Sequence, residues 1–188
     1  PGYFNIDEGI IVNYGHATYS PRGEDTLTAP WANEFHPYLS CIPRAWAQDL
    51  FPDRPFLGSR LFSVGVGVLT LMLLFVFTLS LGGYLAAWIA TLLIGFNHVF
   101  LALSRFGMTN LDALALVTLW SLALIVAWRA RGRGFVFIAG LLHGLMFYLY
   151  FAALAITPIS LCLLLAQAIL HPRALARRWS LLLIYGLG

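Results

Sequence analysis

The sequence predicts an all-α polytopic membrane protein. Five transmembrane helices and the start of a sixth are expected, with a long extracytoplasmic N-terminal loop that bears an interfacial helix. Three observations carry this expectation. Of 188 residues, 60% are hydrophobic and only 10% charged, against roughly 25% charged in ordinary soluble domains, and mean hydropathy is +0.82. Charge is also segregated, since residues 61–104 and 135–172 hold no Asp, Glu, Lys or Arg. Finally, the arginines between apolar runs collect in two clusters, Arg129, Arg131 and Arg133, then Arg173, Arg177 and Arg178. A soluble fold has too little interior to hide this much apolar surface, whereas a bilayer supplies it.

Taken in order, residues 61–81 make a first span, because at ~1.5 Å per residue they cover the ~30 Å hydrocarbon core. Gly82 and Gly83 break it, and residues 84–103 make a second span interrupted only by Asn97 and His98. Residues 111–128 make a third. The uncharged run 135–170 would reach ~54 Å as one helix, too long for one crossing. It therefore divides near residues 151–157 into spans 135–151 and 153–170, with Pro158 in the first turn of the second half, where its missing N–H costs least. Residues 180–188 begin another span. The chain opens on Pro1 and closes inside that apolar run, so a piece of a longer protein is expected.

Short cytoplasmic loops are enriched in basic residues, which places both arginine clusters inside. Alternation then puts residues 1–60 and the connection 104–110 on the opposite face. All eight acidic residues lie there or at its boundary: Asp7, Glu8, Glu24, Asp25, Glu34, Asp49, Asp53 and Asp112. A bacterial inner membrane, with this face extracytoplasmic, is the expected location. Residues 1–60 are rich in Pro and Gly and read as a structured loop. Within it, residues 39–51 place Ile42, Trp46 and Leu50 at helical spacing opposite Arg44 and Asp49, the pattern of a helix lying on a membrane surface. Cys41 falls in the loop and Cys162 inside a span, so no disulfide between them is expected.

Four groups of residues could carry chemistry. Asp7 and Glu8 are adjacent carboxylates beside a low-dielectric surface, and their mutual repulsion raises the proton affinity of at least one, suiting it to general-base work. A solvated acidic turn is the plainer reading of the same pair. Glu34 and His36 offer oxygen and nitrogen ligands for a divalent cation, or form only a polar turn before the helix. Arg105 and Asp112 sit at the mouth of adjoining helices, where ionisable groups are functional candidates. Arg105 could bind an anionic phosphate in bidentate fashion, or could pair with Asp112. Asn97, His98 and His143 lie in spans and are expected to make interhelical hydrogen bonds, with Gly140 and Gly144 permitting close packing around His143. Tyr148 and Tyr150 fit an aromatic belt.

In succession these passages resemble the GT-C superfamily of membrane glycosyltransferases, in its protein O-mannosyltransferase and aminoarabinose-transferase branch. The resemblance rests on Asn5 to Gly9, on His36-Pro37-Tyr38-Leu39, on Arg60-Leu61-Phe62-Ser63 and on Ser104 to Asp112, with a looser passage from Gly144 to Tyr150. It implies an inverting glycosyltransferase that takes a sugar from a polyprenyl phosphate and passes it to an acceptor hydroxyl of a protein, lipid or glycan. Asp7 is then the implied base, with Glu8 beside it, and Asp112 a second acidic site. His36, Arg60, Arg105 and Asn110 are implied substrate contacts, and Glu34 with His36 the implied metal pair. Relatives often carry an acid where Asn110 stands, and Phe35 fills a position that some use for a metal ligand. A different class fits the same composition: a transporter or assembly subunit whose outer loop binds a partner.

Overall fold

The computed structural model describes residues 8–12, 15, 38–54, 56–130, 133–149, 155–160, 162, 169 and 179–188. The regular elements among them are helices: α1 Tyr38–Asp49, α2 Leu57–Gly95, α3 His98–Arg105, α4 Asn110–Ala130, α5 Arg133–Met146 and α6 Trp179–Leu187. Two, Leu57–Gly95 and the Asn110–Ala127 part of α4, are long and apolar enough to cross a membrane, and Gly134–Met146 is a shorter apolar helix.

Helix α2 has 39 residues, which would reach ~58 Å if straight, about twice the hydrocarbon core. It is not straight. Gly83 has φ 79° and ψ −177°, a conformation open in practice only to glycine. The chain reverses there, and arms 57–82 and 84–95 run antiparallel. Phe75 and Trp88 meet edge to face with ring centroids 5.2 Å apart, where a continuous helix would separate them by ~20 Å. Gly95 lies against Leu71, and Gly67 against Phe100 and Ser104 of α3. The expected glycine break is thus a hairpin turn.

The second arm is not one helix through Asn97 and His98, contrary to expectation. It stops at Gly95, and Asn97 adopts extended φ −67°, ψ 126° as the N-cap of α3. Its Oδ1 accepts the N–H groups of Val99 at 2.9 Å and Phe100 at 3.3 Å. Asn97 therefore satisfies orphan donors of its own chain rather than bridging helices, and His98 is exposed.

Helix α4 packs on α2 and α5, and α5 on α6. Ala113, Leu116, Trp120 and Ala123, at helical spacing on one face of α4, join Ala139 and Met146 of α5 in the core. At Gly140 the backbones of α5 and α6 approach so closely that a Cβ would strike the Tyr185 carbonyl. His143 contacts Tyr185 Oη through Nδ1 at 2.5 Å and Thr157 Oγ1 through Nε2 at 3.0 Å, the interhelical bonding expected of it. Pro158 falls within helical residues 156–160. Neither Cys41 nor Cys162 is in a disulfide.

Outward faces carry large apolar groups such as Met72, Leu85, Trp88, Leu93 and Phe96, a surface that water would not tolerate and lipid would. This is an integral membrane protein. Its two ends differ. Arg129 donates from Nη2 to the carbonyl of Ser80 beside the hairpin turn, while Arg60 and Asp112 lie at the other ends of the same helices, ~30 Å and ~26 Å along them.

Helix α1 packs against the start of α2, but not as the expected surface helix, because Arg44 is turned inward while Asp49 stays exposed. Trp46 and Leu50 are exposed, whereas Arg44 is fully buried. A surface helix would have left that arginine in water; here the protein, not the solvent, receives it.

Candidate active site

Glu8 stands at the start of helical residues 8–12 and is fully buried. Its Oε1 accepts from Arg60 Nε at 2.9 Å and from the Gly107 N–H at 2.7 Å, and its Oε2 accepts from Arg60 Nη2 at 2.7 Å. A burial that would otherwise be prohibitive is offset by three charge-assisted hydrogen bonds. Arg60 belongs to the first turn of α2 and keeps 32% of its side chain exposed. Gly107 lies in the connection between α3 and α4, and a Cβ there would strike Ser59 Oγ and stand 3.5 Å from Glu8 Oε1. It is the Ser59 hydroxyl, and not the carboxylate, that leaves no room for a side chain here.

A second charge pair lies beside the first. Arg44 donates from Nη1 to Asp112 Oδ2 at 2.6 Å and from Nη2 to Asp112 Oδ1 at 3.0 Å. It also reaches the carbonyls of Ser40 at 2.7 Å and Met108 at 2.5 Å and, at 3.4 Å, Ser63 Oγ. The guanidinium stacks over Phe62, 5.2 Å from the ring centroid. Burial of this neighbourhood also acts on Cys41, one turn back on α1, whose thiol is pushed up to about 11.

Of the residues singled out in the sequence, Glu8, Arg60, Arg105, Asn110 and Asp112 all fall at one end of the bundle. Glu8 and Arg60 are brought into direct contact. Asp112 does not pair with Arg105, because Arg44 takes both its oxygens; Arg105 ends α3 and is exposed. Asn110 opens α4. Asp7, Glu34 and His36 lie outside the described residues, and among the described residues no group of three or more His, Cys, Asp and Glu gathers to hold a metal ion.

The family model of dolichyl-phosphate-mannose-protein mannosyltransferase matches residues 36–145, more than half of the chain. The chain belongs to this family. The protein mannosyltransferases are glycosyltransferases that use a sugar carried on a polyprenyl phosphate. No curated relative and no solved structure matches the chain. The matched stretch runs from the segment before α1 into α5, so it contains Arg44, Arg60, Gly107 and Asp112 of this mannosyltransferase-family chain.

Arg44 and Gly107 are the site residues that the sequence reading passed over. A signal for Arg44 was present: Ser40, Cys41, Arg44, Ala45 and Gln48 form a stripe of small and polar groups at helical spacing. Such a stripe permits close packing, and an arginine within it requires a buried partner. Gly107 carried no comparable mark, because its contact with Glu8 spans 99 positions of chain.

Proposed function

We propose that this mannosyltransferase-family chain forms the catalytic face of an inverting enzyme, one that moves a sugar from a polyprenyl phosphate to an acceptor hydroxyl on the extracytoplasmic side. One observation carries the reading. Glu8, Arg60 and Gly107, from three separate segments, are tied together at the end of the bundle remote from Arg129 and the hairpin turn. Among the described residues, that end holds Glu8 and Asp112, with Arg60 partly exposed and Arg54 and Arg105 exposed.

In this reading Asp7 accepts the proton of the acceptor hydroxyl as its oxygen attacks the anomeric carbon. Glu8, the next residue, anchors that segment to Arg60 and Gly107, with both its oxygens engaged. The bond from the anomeric carbon to the phosphate oxygen breaks, and the electron pair leaves with the polyprenyl phosphate. A phosphate needs no acid to depart, so the remaining task is to stabilise its charge, and this reading gives that task to Arg105. Glu34 and His36 are the candidate pair for a divalent cation, and no step above requires it.

The decisive experiment replaces Asp7 with Asn in the full-length enzyme and follows transfer from polyprenyl-phosphate-mannose in membranes. Loss of a general base costs roughly 10²- to 10⁴-fold, and that drop in turnover is the expected result. Undiminished turnover would remove Asp7 from the mechanism.

A further inference from the structure

We infer that Arg44 is a positioning residue of the transfer site, holding the Gly107–Met108 stretch in register with Glu8, and that Asp112 acts as its anchor rather than as a reacting acid. The inference rests on the functional reading for the reaction it serves. The contacts themselves stand apart from it.

One guanidinium joins four parts of the fold. It reaches Ser40 of α1, Phe62 and Ser63 of α2, Met108 of the connection and Asp112 of α4. Gly107 precedes Met108 and gives its N–H to Glu8. The connection is therefore held from both sides, its N–H by the Glu8 and Arg60 pair and its carbonyl by the Arg44 and Asp112 pair. Only the φ and ψ angles of Gly107 and Met108 separate these two bonds. A displacement of the Met108 carbonyl must therefore turn the Gly107 amide relative to Glu8.

Asp112 is suited to anchoring and poorly placed for chemistry. Its carboxylate is 9% exposed, and each oxygen accepts from a different Arg44 nitrogen. The planar fork of arginine matches this arrangement, and the point charge of lysine does not.

The test uses the full-length enzyme with polyprenyl-phosphate-mannose as donor, in three variants: Arg44→Lys, Asp112→Asn, and the paired change Arg44→Met with Asp112→Leu. The paired change removes both charges together and leaves no lone buried ion, so it folds where a single change fails to. Each variant is expected to lose roughly 10²-fold in kcat, the scale of an ångström of misplacement. The donor KM should stay within about twofold, as for an interaction felt only in the transition state. The paired change should be no worse than the single ones.

Alkylation of Cys41, buried one turn from Arg44, reads the clamp without any catalysis and should quicken in all three. Wild-type kcat in the paired variant would overturn the inference. So would Asp112→Asn abolishing transfer while Arg44→Lys leaves kcat intact, since Asp112 would then be a reacting group. An unmodified enzyme that transfers no sugar would overturn the functional reading alone. Unchanged alkylation of Cys41 in the variants would overturn the clamp alone.

Discussion

Gly107 matters because its amide is Glu8's third hydrogen-bond partner and because its missing side chain makes room for Ser59. Gly107→Ala must push the connection away from Glu8 or rotate Ser59 outward. Transfer activity should fall by roughly 10²-fold, as for other ångström-scale displacements; wild-type turnover in the alanine variant would mean that this amide does not position the site. Cys41 offers a gentler probe of the same region. Burial raises its thiol to about 11, so the reactive thiolate is scarce at pH 8 in the folded protein. N-ethylmaleimide should modify it slowly until the protein is denatured. The unfolded thiol releases its proton near the ordinary value of 9.0 and the folded one only near 11. This contribution to stability is therefore complete below pH 9 and is lost as pH rises from 9 to 11. At this scale the sequence singled out Glu8 and Arg60 separately, as a carboxylate beside the implied base and as an implied substrate contact, and their pairing appears only in the structure. It was illegible for Arg44, because an amphipathic pattern records which residues share a face and not whether water or protein covers it.

Among the elements, α4, α5 and α6 are joined by a chain of hydrogen bonds. The Trp120 indole can only donate and gives its N–H to Tyr185 Oη at 3.0 Å. Tyr185 Oη shares a hydrogen with His143 Nδ1 at 2.5 Å, and His143 Nε2 shares one with Thr157 Oγ1 at 3.0 Å. Replacing Tyr185 with Phe strands the indole N–H and the imidazole Nδ1 in an apolar layer, at about 1–3 kcal/mol for each group left unsatisfied. The melting temperature of the detergent-solubilised protein should drop clearly, and Trp120→Phe, which strands no donor but withdraws indole volume from the core, should lower it as well. Equal melting temperatures for wild type and Tyr185→Phe would show that the chain of bonds contributes nothing. The sequence could point to His143 as a bonded group because glycines stood three residues before it and directly after it. It could not name Tyr185, 42 positions away. The same limit applies to Asn97, whose role as a cap depends on a helix break that apolar periodicity does not register.

For the whole molecule, the proposed function requires the acidic site and the Gly83 turn to lie at opposite faces of the membrane. The composition made a membrane protein legible, and Gly82 with Gly83 marked the reversal, but how the arms lie against each other appears only in contacts such as Phe75 on Trp88. Two positions outside the proposed site test the sidedness. Asp53 precedes α2 and is exposed, and Tyr84 follows the turn and is also exposed. The arm 57–82 between them spans ~39 Å, more than the hydrocarbon core. In a Cys162→Ser background, with Cys41 shielded by its burial, a membrane-impermeant maleimide added outside intact cells should label Asp53→Cys. The same reagent should label Tyr84→Cys only after the membrane is opened. Labelling of both from the outside would place the two ends of this arm on one surface, and a site built from Glu8, Arg60 and Gly107 could then no longer be assigned to a single face by the crossing of α2.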